Sequence, residues 1–149
     1  MRVNLGVQMS NFTSPLILED TGKKDDSGRT LYRTTRELEY ELGSLGSGLK
    51  IVVPEGRITN LATVPTTPIL SYLFRDITTI NGKYIAAPVL HDYLCNEQFP
   101  GFKEQCSGFS RFEADVILRS ALEALLAPYW QTLSVYYAVR IYAIVTGKR

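Results

Sequence analysis

Short apolar runs alternate with polar residues over the first part of the chain, and this pattern predicts β-strands. Apolar or β-prone runs at 16–18 and 31–35 flank the polar stretch 19–29, which is typical of a hairpin with a long charged tip. Residues 38–42 alternate Leu or Tyr with Glu, which favours a half-buried strand with an acidic, solvated face. The same stretch alone could form a helix, because Glu and Leu are good helix formers. Further strands are predicted at 49–53 and 57–59.

Helical spacing dominates the second part of the chain, after a loop. Two prolines and several threonines at 60–68 predict a loop of defined shape, followed by a short helical turn at 69–74. Ser110 and Glu113 have the spacing of a capping box, so a helix is predicted to start there and to end near Ala127. Two other helices are predicted at 86–95 and 131–146.

These elements together predict an α+β fold. An N-terminal antiparallel β-sheet with hairpins is followed by about three α-helices packed on it. The length of 149 residues suits a single domain over 1–149. We expect mostly β structure over 1–59, a Pro/Thr-rich loop region over 60–83 and mostly α structure over 84–149.

Charge and composition narrow the function classes. Lys and Arg number 16 and Asp and Glu number 15, so we expect no charge-driven partner such as nucleic acid. We also expect no signal peptide and no membrane span, since the most apolar segment, 135–145, is shorter than the roughly 20 residues that a span needs. For Cys95 and Cys106 the expectation is reduced thiols, with a disulfide or shared metal ligation as the alternatives.

One histidine stands among nearby carboxylates. His91 precedes Asp92 on a predicted helix, and Asp115 lies on the next helix with Arg111 and Arg119 one turn to either side. His91 could act as a general base or a metal ligand, with Asp92 and Asp115 as orienting or metal-binding carboxylates. No cofactor motif is present, and a divalent metal such as zinc is the candidate. The structural alternative is a polar network that holds the fold together, in which Asp115 pairs with Arg111, Arg119 or the more distant Arg140.

Four segments resemble a known family in the same order along the chain. They are a loop at 53–65 (VPEGRITNLATVP), a helix at 86–94 (AAPVLHDYL), a helix start at 110–115 (SRFEAD) and a closing stretch at 137–140 (YAVR). Each motif is short, but the four in order resemble the domain of unknown function 1353 family from about Leu49 to Tyr142.

The resemblance implies a bacteriophage or prophage origin, because that family is found largely there. It also implies a shared polar pocket, formed here by Asn60, Thr63, His91, Asp92, Arg111 and Asp115. Three positions depart from the family pattern: Asn60 stands where an Asp is usual, Thr63 where a Ser is usual, and Cys95 where a Tyr is usual. Asn is a poorer metal ligand than Asp and cannot act as a base. If the Asp at this position is catalytic in relatives, we expect this chain to lack the activity.

Three functions remain open. The first is a virion-associated structural protein of the phage tail or neck that contacts other virion proteins or itself through aromatic residues near the last helix. The second is a small hydrolase, of cell wall or peptidase type, that uses the His/Asp pocket. The third is a module that binds a host factor. The chain would accordingly be located in the virion or the host cytoplasm. The interface residues are Tyr129, Trp130, Tyr136, Tyr137 and Tyr142.

Overall fold

A computed structural model describes residues 2–5, 11–61, 68–80, 82–95 and 108–147 of the protein. Strands come first along the chain and helices follow them, so the predicted α+β class is confirmed. Thr63 and Cys106, which the sequence singled out, lie outside the described residues.

A four-stranded antiparallel sheet forms first. Its strands are β1 (Arg2–Leu5), β2 (Leu16–Lys24), β3 (Thr30–Thr34) and β6 (Ile58–Thr59), in the spatial order β1-β2-β3-β6. The pairs β1–β2, β2–β3 and β3–β6 are all antiparallel. The strand β6 thus returns to the edge beside β3, which places the loop that follows it next to the sheet.

The predicted hairpin is confirmed, but its tip is shorter than expected. Strand β2 continues to Lys24, which pairs with Thr30 after an irregularity in register that starts at Asp20. The tip is closed by Asp25, whose Oδ1 accepts hydrogen bonds from the backbone N–H of Ser27 (2.9 Å) and of Arg29 (2.8 Å). A carboxylate that binds its own turn in this way stabilises a tight reversal, so most of the polar stretch is strand.

A second sheet has two strands, β4 (Leu38–Glu41) and β5 (Lys50–Val53). Leu38 and Tyr40 are buried, so the period-two pattern correctly predicts a strand. The expected solvated acidic face is wrong at Glu41, which is buried and accepts a hydrogen bond from the backbone N–H of Gly46.

Five helices occur among the described residues. Two are short, α1 (Pro68–Leu73) and α2 (Arg75–Thr78), and the second of them was not predicted. The three longer helices are α3 (Ala86–Leu94), α4 (Arg111–Ala124) and α5 (Tyr129–Val145), in agreement with the predicted number.

The capping box of α4 is confirmed. The Ser110 hydroxyl accepts from the Glu113 backbone N–H at 3.2 Å, and the Glu113 carboxylate accepts from the Ser110 N–H at 2.7 Å. This pair satisfies two of the N–H groups that a helix start leaves without intrahelical partners.

One continuous core joins both sheets to the helices. It includes Leu18 of β2, Leu38 of β4, Leu90 of α3 and Leu118 of α4, each at most 1% exposed. The helices therefore pack on the strands through side chains that the sequence pattern had marked as apolar.

Helix α5 is covered on one side only. A helix that is apolar on nearly every side must be buried against something, and the rest of the chain covers only part of this one. The buried side consists of small or polar residues, while most of the large apolar side chains face outward. The buried residues are Gln131, Thr132, Val135, Val139 and Ala143.

Candidate functional site

The carboxylate of Asp115 forms the centre of a buried polar cluster. Its Oδ1 lies 2.7 Å from His91 Nε2 and accepts from Arg111 Nε at 3.0 Å, while its Oδ2 accepts from Arg140 Nη1 at 2.9 Å. Asp115 is completely buried, and His91 and Arg111 are nearly so. The cluster therefore joins three helices, because His91 lies on α3, Asp115 and Arg111 on α4, and Arg140 on α5.

Local helix geometry explains only one of these contacts. Arg111 precedes Asp115 by four residues, so both side chains lie on the same side of α4. Arg119 was an equally spaced candidate, but it donates instead to Glu123 at 3.1 Å on the exposed side of the helix. Arg140 takes the second position beside Asp115 because α5 packs against α4.

The environment of Asp115 determines its charge. Burial raises the pKa of this carboxyl group, but the hydrogen bond from His91 and the charge of Arg111, together with Arg140, outweigh that effect and hold the pKa below its ordinary value. Asp115 is therefore ionised at neutral pH and can only accept hydrogen bonds.

The charge of Asp115 also determines that Nε2 of His91 carries a hydrogen. Because the Nε2–Oδ1 distance is 2.7 Å, Nε2 must carry hydrogen and donate it to Asp115. In this arrangement Nε2 is a positioned donor, and it is not available as a general base.

Cys95 completes the cluster at the end of α3. It follows His91 by four residues, and its Sγ lies 3.3 Å from the same Nε2 atom. The sulfur of Cys95, the ring nitrogen of His91 and a carboxylate oxygen of Asp115 all lie within 4.8 Å of one another. Thiolate, imidazole and carboxylate are the ligand types that zinc accepts, so these three residues are the candidate metal set.

Asp92 is not part of this set, although the sequence had grouped it with His91. Its Oδ2 accepts a hydrogen bond from the Thr59 hydroxyl, and that hydroxyl accepts from the Leu61 backbone N–H at 3.1 Å. Asp92 thus connects α3 to β6 and to the start of the following loop. Sequence reasoning did not single out Thr59, although the residue lies within the loop 53–65 that resembles the family.

Asn60 binds the hairpin tip. Its Nδ2 donates to Asp25 Oδ2 at 2.7 Å. Burial raises the pKa of Asp25. The hydrogen bonds from Asn60 and from the backbone N–H groups of Arg29 and Ser27 lower the pKa by more than burial raises it, so the net pKa is below the ordinary value. The contact gives a physical reason for an amide at position 60, because an aspartate would place a second negative charge against Asp25.

An open cleft of about 770 Å³ lies along β2, β3 and the turn before β6. Its lining includes the ion pair Arg33–Glu19, whose atoms are 2.7 Å apart, together with Arg36 and Glu55. No residue of the Asp115 cluster lines it. This cleft could not be predicted from the sequence, because it depends on strand register.

The five aromatic residues proposed for an interface have different environments. Tyr129, Trp130, Tyr137 and Tyr142 are exposed. Tyr136 is half-buried, with the Arg119 guanidinium 5.5 Å from its ring centre. Four of the five side chains are therefore accessible to a partner.

Comparison with known proteins yields one match. A family model described as protein of unknown function (DUF1353) matches residues 33–139. No curated protein and no solved structure matches the chain significantly. Within the described residues, no helix combines the length and the apolar character needed to cross a membrane.

Proposed function

We propose that this chain, which belongs to the family of proteins of unknown function DUF1353, is a bacteriophage structural protein that is incorporated into the virion at the tail or neck. The resemblance of its motifs to phage and prophage proteins supports the phage origin. The single observation that carries the structural role is the uncovered apolar side of α5.

That side of α5 has the character of an interface. The large apolar residues on this side are all exposed: Trp130, Tyr137, Ile141 and Ile144. The opposite side of α5 is buried against the rest of the protein and carries smaller residues. Large exposed apolar surfaces on soluble proteins usually mark sites of interaction. Aromatic residues are enriched at the centres of protein interfaces, so assembly with other protein surfaces is the role that suits this side.

The Asp115 cluster fits the same structural role, because it holds the helix that carries the exposed apolar side in a fixed position. His91, Arg111 and Arg140 direct their donors at one carboxylate and thereby hold α3, α4 and α5 together. An assembly surface benefits from such a support, because a fixed helix loses less conformational entropy on binding.

Mass spectrometry of purified particles from the phage that encodes the chain tests the proposal. We expect the chain at a constant copy number per particle. Tyr137→Lys places a charge on the uncovered side and should reduce incorporation at least about tenfold, whereas Ser120→Lys, an exposed change on α4, should not. Absence of the wild-type chain from intact particles would overturn the proposal.

A zinc-dependent hydrolase, acting on cell wall or on peptides, is the second candidate. The observation that favours it is the convergence of Cys95, His91 and Asp115 within 4.8 Å. Tetrahedral zinc would separate its ligand atoms by roughly 3.5 Å, so the Nε2–Oδ1 pair at 2.7 Å must widen and His91 must lose the proton on Nε2. Metal binding and the present hydrogen bond therefore exclude each other.

Metal content and lysis together test this candidate. Purified protein should contain about one zinc per chain, and it should release soluble fragments from peptidoglycan. The variants His91→Ala and Cys95→Ser should lose both properties, with Arg119→Gln as the matched surface control. A protein without zinc, with no lytic activity above that of His91→Ala, would remove the candidate.

A further inference from the structure

The outward side chains of α5 follow a regular spacing. Trp130, Ser134, Tyr137, Ile141 and Ile144 are separated by four, three, four and three residues. This is the spacing of the a and d positions in a coiled coil, where one helix packs along another. We call these five residues the α5 seam.

The α5 seam is exposed over the full length of the helix. The exposed fractions are 51% for Trp130, 57% for Tyr137, 61% for Ile141 and 67% for Ile144. At about 100° of rotation per residue, these side chains point away from Val135 and Val139, which are buried against the rest of the protein. The seam is therefore open to a second helix.

The charge distribution permits two copies of the seam to meet. Arg140 is the only charged residue in α5, and its guanidinium is bound to Asp115. Neither the seam nor the positions beside it bring a further charge, so no like charges would oppose each other across a pair of identical helices. A lipid surface is less favoured, because α5 has no row of Lys or Arg beside its apolar side.

Side-chain size indicates how two copies fit. In an antiparallel pair that places Ser134 opposite Tyr137 of the other copy, Trp130 lies opposite Ile141 in the same register. The layers formed by Trp130, Ser134, Tyr137 and Ile141 then each combine a large side chain with a smaller one, which is how facing positions fill space without voids. The antiparallel direction also brings opposite ends of the two helix dipoles together.

We propose that the α5 seam binds the α5 seam of a second copy of this chain, as an antiparallel helix pair around a twofold axis. The inference rests on the proposed function, for which it names the first assembly partner. Trp130, Tyr137 and Phe112, whose ring lies beside Arg140 of α5, are each about half exposed. Aromatic side chains carry roughly 150–250 Å² each, so together with Ile141 and Ile144 the exposed surface is on the order of several hundred Å² per chain. That approaches the roughly 800 Å² per partner that specific dimers bury.

Sedimentation velocity of the purified full chain tests the inference over a dilution series. We expect a dimer for the wild type, and an increase of at least about 100-fold in the dimer dissociation constant for Ile141→Glu, because two like charges would then lie in the interface. Leu45→Glu is the matched control: the residue is a similarly exposed apolar side chain in the turn between β4 and β5, outside α5. It should remain dimeric. Far-UV circular dichroism establishes that both variants are folded.

Cysteine cross-linking tests the direction of the pair. A mixture of Trp130→Cys chains and Ile141→Cys chains should form more disulfide-linked dimer than either variant alone. A parallel pair would instead cross-link Trp130→Cys chains with each other, which would overturn the antiparallel arrangement.

The remaining outcomes separate this inference from the proposed function. A monomer at all concentrations overturns the inference, and so does a monomer that binds phosphatidylcholine vesicles through the seam. If that monomer is still found in particles, the virion role stands and the seam contacts another virion protein. A dimer that is missing from particles supports the inference and overturns the virion role.

Discussion

Arg140 of α5 donates from Nη1 to Oδ2 of Asp115 in α4 over 2.9 Å, although the two residues are 25 positions apart in the chain. His91 of α3 binds the other oxygen of the same carboxylate. One side chain therefore connects all three long helices. A buried carboxylate is stabilising only when each partner is present, since an uncompensated buried charge is costly.

The first prediction concerns the centre of this cluster. Asp115→Asn removes the buried negative charge and leaves the partly buried Arg111 and Arg140 without their counter-ion, so we expect the free energy of unfolding to fall by about 3 kcal/mol. Urea unfolding followed by far-UV circular dichroism measures this loss. Arg119→Gln breaks the exposed pair with Glu123 and should leave the free energy of unfolding almost unchanged, because exposed ion pairs contribute little to stability. Equal losses for the two variants would show that Asp115 has no special structural role.

The second prediction concerns acid. The pKa of Asp115 is lower in the folded state than its ordinary value of 3.8. The stabilising contribution is therefore complete above the unfolded-state pKa, and it is lost as pH falls from there through the folded-state pKa. We expect the wild type to lose more stability than Asp115→Asn between neutral pH and the acid range. Parallel stability–pH curves for the two proteins would contradict this prediction.

The third prediction concerns the contact between Asn60 and Asp25. Asn60→Asp restores the residue typical of the family resemblance, but it replaces a hydrogen-bond donor by a carboxylate opposite Asp25. We expect a loss of about 1 to 2 kcal/mol at neutral pH, because the bond is lost and two like charges face each other. The double variant Asp25→Asn with Asn60→Asp exchanges the two groups and should recover most of the loss. No recovery would show that the 2.7 Å contact contributes little in solution.

The fourth prediction concerns the start of α4. Ser110→Ala removes the acceptor for the Glu113 backbone N–H, so the protein should lose about 1 kcal/mol of stability. Ser120→Ala changes the same residue type on the exposed side of the helix, where alanine is the better helix former, and should cost nothing. Thermal unfolding compares the two variants, and a similar Tm for both would contradict the role of the cap.

Local rules account for much of the fold. The capping box at Ser110 and the alternation at 38–42 both lead to the observed elements, because each depends on neighbours within a few residues. The same rules overestimate the hairpin tip, since the extension of β2 to Lys24 depends on pairing with β3. They also do not show which sides of α5 the rest of the chain covers, because a helix that is apolar on nearly every side has no polar side to mark the exposed surface.

In the candidate site too, local spacing determines one contact and tertiary packing determines the others. The sequence by itself identified His91, Asp115 and Arg111 as residues of interest, and the spacing of four residues between Arg111 and Asp115 determined their contact. Only the tertiary structure decided that Arg140 reaches Asp115, that Asp92 binds Thr59 and that Asn60 binds Asp25. These contacts join elements that are far apart in the chain, so they depend on how whole helices and strands pack. The spacing of the α5 seam was present in the sequence from the outset, but its exposure was decided by the packing of α5 through its smaller side chains.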